Sequence, residues 1–229
     1  HDFVEAALKA GAGAAVIARA KRGQFPSDAP LLLVDDALEA LRDLARAARK
    51  RTQAKIIAVT GSVGKTGTKE ALRLALSADG ETHASAASYN NHWGVPLSLS
   101  RCPADVKYAV FEIGMNHAGE ITPLVKLVRP HVAIVTTVEA VHLEYFGSIE
   151  KIADAKAEIF TGVEPGGAAV INRDNSQYER LTAAAKAAGV RIVSFGEHAD
   201  ADTRLMRHSL QAESSCVHAS ILGEDVTYK

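Results

Sequence analysis

The chain has 229 residues, of which 47% are hydrophobic and 23% charged, and its formal net charge is −1. These values are typical of a soluble globular α/β protein, and the near-neutral charge provides no general attraction for nucleic acid or for an anionic membrane. No stretch approaches the ~20 continuous apolar residues that span a bilayer, so membrane insertion is not expected. The two cysteines, Cys102 and Cys216, match no disulfide or metal-binding spacing, and we expect a cytoplasmic location.

The first 34 residues predict part of a small α/β domain. Residues 3–11 form an amphipathic helix pattern, and residues 14–18 and 31–34 are short apolar runs typical of strands. A loop rich in Gly and Pro separates the two strands. The chain begins without an initiator Met and ends inside a predicted strand, so we expect a piece of a longer protein.

A helix is predicted from the acidic pair at Asp35 and Asp36, which supplies N-cap chemistry, to about Lys50. We place a domain boundary at residues 34–36. The basic run Arg46–Arg51 is interpreted as a solvated helix end, where cations suit the helix dipole. A phosphate-binding patch is the alternative.

Strands and helices alternate from Lys55 onward, which predicts a mostly parallel, P-loop-type sheet flanked by helices. The predicted strands are 55–60, 107–112, 131–137, 167–171 and 190–194. The predicted helices are 65–77, 118–128, 149–160 and 175–188. After residue 203 the pattern changes to short alternating runs at 205–211 and 216–222, which indicate an antiparallel edge.

The strongest motif follows the first of these strands and reads Thr60-Gly61-Ser62-Val63-Gly64-Lys65-Thr66. Glycines let backbone N–H groups approach phosphate oxygens, and the helix that begins at Lys65 adds a favourable dipole. We expect Lys65 to reach the β- and γ-phosphates of ATP and the Thr66 hydroxyl to bind Mg²⁺. Val59 stands where the standard motif has its first glycine, so this loop is a shortened form. A glycine-rich turn before an ordinary helix is the alternative.

The loop resembles the ATP-binding loop of the Mur ligase family, which includes the folylpolyglutamate synthetases. Four further segments have the order and spacing of that family: Tyr89–Pro96, Phe111–Ile121, Val141–Gly147 and Ala155–Phe160. The resemblance covers essentially the whole chain and is most specific between residues 56 and 175. It implies that residues 1–34 belong to an N-terminal UDP-substrate-binding domain. Residues 35–229 would then form a central ATP-binding domain that is incomplete at its C-terminus.

Glu112 ends an apolar strand, and the carboxyl ends of parallel strands face the ligand crevice of open α/β sheets. The resemblance implies that Glu112 binds Mg²⁺, for which a carboxylate is a suitable hard ligand. A solvent-facing strand end is the alternative.

The resemblance also implies a second Mg²⁺, with Glu112, His142 and Lys156 as its ligands. The lysine at the position of Lys156 carries a carbamate made from CO₂ in this family, and the modification turns a cation into a metal-binding anion. Lys65, His142 and Lys156 would then form the catalytic set. Without the resemblance, His142 is a surface loop residue and Lys156 a solvated helix lysine, and Lys151 is the rival for the modified position.

Four polar residues are assigned to ligands by the same resemblance. Asn91 is expected to contact the nucleotide, and Asn90, Asn116 and His117 the substrate. Turn formation is an equal alternative for the two residues of the Asn90–Asn91 pair. Capping of a helix that begins near Ala118 is the alternative for the other two.

A last polar segment, Asn172–Asn175, follows the strand predicted at 167–171 and matches a corner of the family. Capping of the following helix by Asp174 or Asn175 explains it nearly as well.

The activity implied is an ADP-forming ligation in peptidoglycan precursor synthesis. A monomeric enzyme would use ATP and two Mg²⁺ ions to join D-alanyl-D-alanine to UDP-MurNAc-tripeptide through an acyl phosphate, and this piece alone would be inactive. A folylpolyglutamate synthetase-like ligase is one alternative, although Asn90–Pro96 and Phe111–Ile121 favour the cell-wall branch. A P-loop nucleotide-binding module without ligation is the other, although the N-K-x-D motif of nucleotide switches is absent.

Overall fold

The computed structural model describes residues 1–141 and 143–229, and a sheet of nine strands organises most of them. The sheet strands in chain order are β3 (Lys55–Thr60), β4 (Thr82–Ala84), β5 (Tyr108–Glu112), β6 (Val132–Val135), β7 (Ala168–Asn172), β8 (Arg191–Gly196), β9 (Thr203–Leu210), β10 (Ser215–Ile221) and β11 (Glu224–Tyr228). Two other strands, β1 (Ala15–Ala18) and β2 (Leu31–Val34), form a separate parallel pair.

Helices connect these strands. They are α1 (Val4–Lys9), α2 (Ala37–Arg51), α3 (Lys65–Ser77), α4 (Gly94–Ser100), α5 (Ile121–Val128), α6 (Leu143–Phe146), α7 (Ile149–Ala157) and α8 (Tyr178–Ala187). Short 3₁₀ turns cover Arg19–Gln24 and Glu158–Gly162. Among the described helices, none is both long and apolar enough to cross a membrane.

The strand order of the large sheet is β11-β10-β9-β8-β7-β6-β3-β5-β4. All pairs from β4 to β9 are parallel, and β10 pairs antiparallel with both β9 and β11. The prediction of a mostly parallel sheet with an antiparallel edge is therefore confirmed. β3 lies between β5 and β6, so the loop that leaves its carboxyl end is central.

The core lies on both faces of this sheet because alternate residues of β3 point to opposite sides. Ile56 and Ala58 belong to the larger cluster, and Ile57 and Val59 to a smaller one. All four are buried, which explains why β3 is a continuous apolar run rather than an alternating one.

Several predicted elements agree with the structure, and several need correction. The strands at 31–34 and 55–60 and the helix at 65–77 have the predicted bounds, and Asp36 caps α2 by accepting a hydrogen bond from Glu39 N at 2.7 Å. The helices predicted from 118 and 175 begin three residues later, at Ile121 and Tyr178.

The elements β4, α4 and α6 were not predicted, whereas β11 agrees with the strand that was predicted at the end of the chain. β4 and α6 are too short to show a period. The α4 sequence resembles a turn because of Pro96, although proline is tolerated in the first turn of a helix.

The prediction of a solvated end for α2 is wrong for Arg49. Its side chain is only 10% exposed, and it donates hydrogen bonds to the carbonyls of Val128 at 2.8 Å and Arg129 at 2.9 Å. These carbonyls end α5, so Arg49 satisfies acceptors that the helix itself leaves unpaired. The sequence could not show this because the contact joins residues 79 positions apart. The boundary predicted at residues 34–36 stays a prediction.

Candidate nucleotide and metal site

The loop between β3 and α3 has a backbone that requires two of its glycines. Gly61 has a φ of +151°, and a Cβ on it would lie 1.9 Å from Thr136 Oγ1. Gly64 has a φ of +83° and precedes the first residue of α3, a conformation that favours glycine. The shape of the loop thus follows from its sequence.

The segment that follows β6 braces this loop from the side. Thr136 Oγ1 donates a hydrogen bond to Val63 O at 2.6 Å. Ser62 N donates to Thr137 O at 2.9 Å, and Glu139 N donates to Ser62 Oγ at 2.8 Å. Sequence reasoning missed this segment because a loop of Thr and Glu carries no motif.

Side chains of the Asn172–Asn175 corner in turn donate hydrogen bonds to the segment that follows β6. Asn175 Nδ2 donates hydrogen bonds to Thr137 Oγ1 and Val138 O, both at 2.9 Å. Asn172 Nδ2 donates to Thr136 O at 3.3 Å. The corner is therefore connected to the loop through the strand end of β6.

Helix capping by this corner is the alternative that the structure contradicts. The N-cap residue of α8 is Gln177, and no side chain caps that helix. Asp174 instead accepts hydrogen bonds from Glu197 N at 2.7 Å and His198 N at 2.9 Å. The helix begins later than predicted, which leaves these side chains free to bond other loops.

Lys65 lies at the first position of α3 and turns back over the loop. Its Nζ donates hydrogen bonds to Gly61 O at 2.7 Å and Ser62 O at 3.3 Å. Burial lowers the pKa of Lys65, and the carboxylate of Glu112 acts in the opposite direction. The side chain is therefore in the position from which it can reach a phosphate on the loop.

Glu112 is 1% exposed at the end of β5, so the solvent-facing alternative is wrong. Its Oε2 accepts a hydrogen bond from Thr66 Oγ1 at 2.8 Å, and its Oε1 accepts one from Asn90 Nδ2 at 2.7 Å. β5 pairs with β3 so that Glu112 lies opposite Val59, just before the loop. Adjacent parallel strands thereby bring the carboxylate to the first turn of α3.

Asn90 and Asn91 have different hydrogen-bond partners. Asn90 bonds Glu112 and packs against Gly114, where a Cβ would lie 2.8 Å from Asn90 Oδ1. Asn91 Oδ1 accepts hydrogen bonds from the backbone N–H groups of Trp93 at 3.1 Å and Gly94 at 2.9 Å, which start α4. The turn role therefore applies to Asn91, and its contact with the nucleotide stays a prediction.

A small cavity of about 170 Å³ opens between the two asparagines and Lys65. Its lining residues are Lys65, Asn90, Asn91, Gly114, Met115, Asn116 and Glu120. Two of the predicted nucleotide residues, Lys65 and Asn91, thus share one cavity with the predicted substrate residues Asn90 and Asn116, and His117 lies outside it. That residue lines a neighbouring cavity of about 310 Å³ with Tyr145, Lys151 and Glu158 among others.

Asn116 and His117 do not cap a helix at Ala118, because α5 begins at Ile121. Glu120 Oε2 accepts a hydrogen bond from Asn116 N at 2.7 Å, and Glu120 Oε1 lies 3.1 Å from His117 Nδ1. The carboxylate of Glu120 thus orders the turn that carries both side chains.

Lys156 is 3% exposed on α7, so its interpretation as a solvated lysine is wrong. Burial lowers the pKa of Lys156 to about 7, and the positive charge of Lys65 adds to this effect. Within residues 1–141 and 143–229 its amine has no hydrogen-bond or ion-pair partner. The rival, Lys151, is exposed and lies at the other end of α7.

His142, predicted as a metal ligand and catalytic residue, lies outside the described residues. Two other residues were missed by sequence reasoning. Glu158 accepts hydrogen bonds from Gly119 N at 2.6 Å and Thr122 N at 2.9 Å and so anchors the start of α5. Lys69 is completely buried, and its spacing of three and seven residues from the apolar Leu72 and Leu76 could have indicated this.

The side chains fit a nucleotide-bound Mg²⁺ better than a preformed metal cage. The described residues contain no cluster of three or more His, Cys, Asp and Glu side chains that could hold a metal. Thr66 and Glu112 provide hard oxygen donors, and Mg²⁺ usually takes few protein ligands and completes its shell with water and phosphate oxygens. Thr60 Oγ1, at the start of the loop, is buried without a partner among the described residues.

Comparison with known proteins gives a consistent result. The family model described as "Mur ligase middle domain" matches residues 59–228. The UDP-N-acetylmuramoyl-tripeptide–D-alanyl-D-alanine ligase of Rickettsia prowazekii is 37% identical over 214 residues, which are 93% of this chain and 47% of that protein. The chain thus spans about half the length of this relative.

Solved structures agree with the sequence relatives. MurF from Acinetobacter baumannii matches with a TM-score of 0.84 and 33% identity, over 99% of this chain and 49% of that one. MurF from Thermotoga maritima, solved in complex with ADP, matches with a TM-score of 0.83 and 28% identity, over 99% of this chain and 51% of that one.

Proposed function

Because the chain belongs to the Mur ligase family, we propose that it is the ATP-binding part of an enzyme that joins D-alanyl-D-alanine to UDP-MurNAc-tripeptide. The observation that carries the proposal is the Thr66–Glu112–Asn90 cluster, which sets a buried carboxylate at the mouth of a phosphate-binding loop. Relatives that bear the name of this ligase support the choice of substrates. The proposed ligation takes place in the cytoplasm.

The loop from Thr60 to Thr66 binds the phosphates of ATP in the proposed enzyme. Backbone N–H groups at the start of α3 donate to phosphate oxygens, and the helix dipole favours the negative charge. When ATP binds, the Lys65 ammonium gives up its hydrogen bonds to the carbonyls of Gly61 and Ser62 and donates to the β- and γ-phosphates instead. A short swing of the side chain is sufficient, because both acceptors belong to the loop that holds the nucleotide.

Glu112 is hydrogen-bonded to Thr66, so we assign it with Thr66 to a first Mg²⁺ and not to the second. His142 with a modified Lys156 would contribute to the second. When bound, these ions neutralise phosphate charge and orient the reacting oxygens. Asn90 keeps the Glu112 carboxylate in place by bonding the oxygen that Thr66 does not bond.

Carbamylation of Lys156 follows from its environment in this proposal. A neutral amine attacks the carbon of CO₂ and releases one proton, and the product is a carbamate anion. Burial of Lys156 favours the neutral amine, as the lowered pKa indicates. The nearby charge of Lys65 then stabilises the carbamate after it forms.

The reaction has two steps. The terminal carboxylate of the tripeptide attacks the γ-phosphorus of ATP, which releases ADP and forms an acyl phosphate. The amine of D-alanyl-D-alanine then attacks the acyl carbon, and phosphate leaves as the amide forms. Positioning and charge stabilisation dominate such phosphoryl transfer, so the chain contributes chiefly Lys65 and the loop N–H groups. Asn90, Asn116 and His117 line the cavities in which the tripeptide end is proposed to bind.

An amino-acceptor screen on the full-length protein tests the proposal. Phosphate release from ATP is measured with UDP-MurNAc-tripeptide and one acceptor at a time, and the product is identified by mass. Release that requires D-alanyl-D-alanine and forms the extended peptide supports the proposal. A parallel assay contains a folate in place of UDP-MurNAc-tripeptide and glutamate as the acceptor, and phosphate release only there would indicate a folylpolyglutamate synthetase-like ligase. Nucleotide binding without ligation of any acceptor would indicate a binding module.

A further inference from the structure

A buried cation on α3 bonds the segment that carries Asn90. Lys69 is 0% exposed, and its Nζ donates hydrogen bonds to Ser85 O and Ala87 O, both at 2.8 Å. The third contact of the ammonium is Glu70 Oε1 at 3.0 Å. An ammonium has three N–H donors, so these contacts use all of them. A charge that is buried this completely is stable only when it is paired and hydrogen-bonded, so Lys69 ties α3 firmly to residues 85–90.

Residues 85–90, called here the 85–90 segment, contain an unfavourable backbone conformation at Ala87. The φ of Ala87 is +45°, which is uncommon for a residue with a Cβ. The side chain of Ala87 is exposed, so it adds little packing that could hold this conformation. The hydrogen bond from Lys69 to the Ala87 carbonyl is therefore a direct constraint on the backbone at this point.

The far end of the 85–90 segment reaches the carboxylate of Glu112. Asn90 O accepts a hydrogen bond from Gly114 N at 2.8 Å, and Asn90 Nδ2 donates to Glu112 Oε1 at 2.7 Å. The other oxygen of Glu112 is bonded by Thr66 of α3 at 2.8 Å. Both oxygens of Glu112 are thus held from α3, one directly by Thr66 and one through the segment that Lys69 holds.

We propose that Lys69 is a positioning residue, which sets the place of the Asn90 side chain and through it the orientation of the Glu112 carboxylate. The inference rests on the proposed function, in which Glu112 holds the Mg²⁺ that accompanies the nucleotide. Lys69 donates its hydrogen bonds to residues 85 and 87 and not to the loop at Gly61–Thr66. Its loss should therefore weaken the Mg²⁺-dependent part of nucleotide binding and leave the Mg²⁺-free part unchanged.

The experiment measures the dissociation constant of ADP by calorimetry on the full-length protein, once with Mg²⁺ and once with EDTA. The ratio of the two constants is the Mg²⁺ enhancement. Lys69→Met keeps the apolar stem and removes the three donors, and we expect the enhancement to fall roughly tenfold, as for other residues that orient a metal ligand. The constant in EDTA should stay within about twofold, because the loop is intact. Glu112→Gln is the reference for complete loss of the enhancement.

A second variant tests the positioning role at the exposed residue Ala87 of the 85–90 segment. It does not depend on whether Lys69→Met folds. Ala87→Val places a β-branched residue at a positive φ, which shifts the segment without touching α3. It should lower the enhancement in the same way, whereas Ala87→Gly, which accepts this φ, should retain it.

The outcomes separate the two proposals. A full Mg²⁺ enhancement in Ala87→Val would overturn the positioning role alone. So would an equal loss of ADP affinity with Mg²⁺ and with EDTA in either variant. An unmodified protein without any Mg²⁺ enhancement would overturn the metal role of Glu112 and the positioning role together.

Discussion

Thr66 Oγ1 donates a hydrogen bond to Glu112 Oε2 at 2.8 Å, across 46 positions of the chain. The bond joins the first turn of α3 to the end of β5, two elements that the parallel pairing of β3 and β5 places side by side. Because the hydroxyl and the carboxylate both offer hard oxygen ligands, we propose that a nucleotide-bound Mg²⁺ is held at this contact.

Lys65→Met should abolish ATP-dependent ligation in the full-length protein and leave its fold intact. The ammonium is the one side-chain cation of the loop that is expected to contact the transferred phosphate. Burial already opposes its charge, so its removal should not lower the melting temperature by more than a few degrees. Phosphate release and thermal unfolding are the two measurements. Lys186→Met, on the exposed surface of α8, is the matched control, and ligation that survives in Lys65→Met would contradict the mechanism.

Gly61→Ala should destabilise the protein by about 1–3 kcal/mol, because the added Cβ would lie 1.9 Å from Thr136 Oγ1. Gly67→Ala is a matched control in α3, where a Cβ has no atom within 4 Å, and it should stabilise the helix by up to about 1 kcal/mol. Urea unfolding of the two variants gives both values. Equal stability of the two variants would show that the loop has room that the structure does not indicate.

Lys156→Met should raise the stability of the protein at pH 7, and this gain should disappear as the pH approaches 10.5. The pKa of Lys156 is about 7 in the folded protein and 10.5 as a free side chain. Between these values the unfolded chain binds a proton that the folded chain does not bind. The stability of the protein that retains Lys156 therefore rises with pH. The largest gain, of the order of a few kcal/mol, therefore lies at and below pH 7.

Urea unfolding at several pH values in a chelating buffer without CO₂ measures this dependence. Lys151→Met, which removes an exposed lysine from the same helix, should show no comparable trend. A gain for Lys156→Met that is independent of pH would contradict the lowered pKa.

Lys156→Ala should lose ligation activity and regain part of it when a short carboxylic acid is added. The substitution leaves a space in which an added carboxylate can take the place of the carbamate anion. Ligation by the full-length protein is measured over a series of acetate and formate concentrations, with chloride at equal ionic strength as the control. An activity that no carboxylate restores counts against the carbamate.

The sequence allowed the strand, the glycine turn and the helix around the loop at Gly61–Thr66 to be predicted, because their causes are local. The apolar run of β3, the two glycines with positive φ and the helix that opens at Lys65 all lie within one short stretch. Local preferences were less informative at the helices predicted from 118 and 175. There Glu120 and Asn175 bond backbone N–H groups in the preceding turns and delay the helix start.

Only the tertiary structure decided which polar side chains are buried together. Lys69 and Lys156 are both helix lysines that the structure buries, and Lys69 donates hydrogen bonds to a segment 16 to 18 positions away in the chain. Asn90 and Thr66 reach the two oxygens of Glu112 from 22 and 46 positions away. The carboxyl ends of parallel strands lie at the same edge of the sheet, whatever their separation in the chain. The loop therefore follows from local sequence, whereas the contacts of Glu112 with Thr66 and Asn90 depend on how the sheet is assembled.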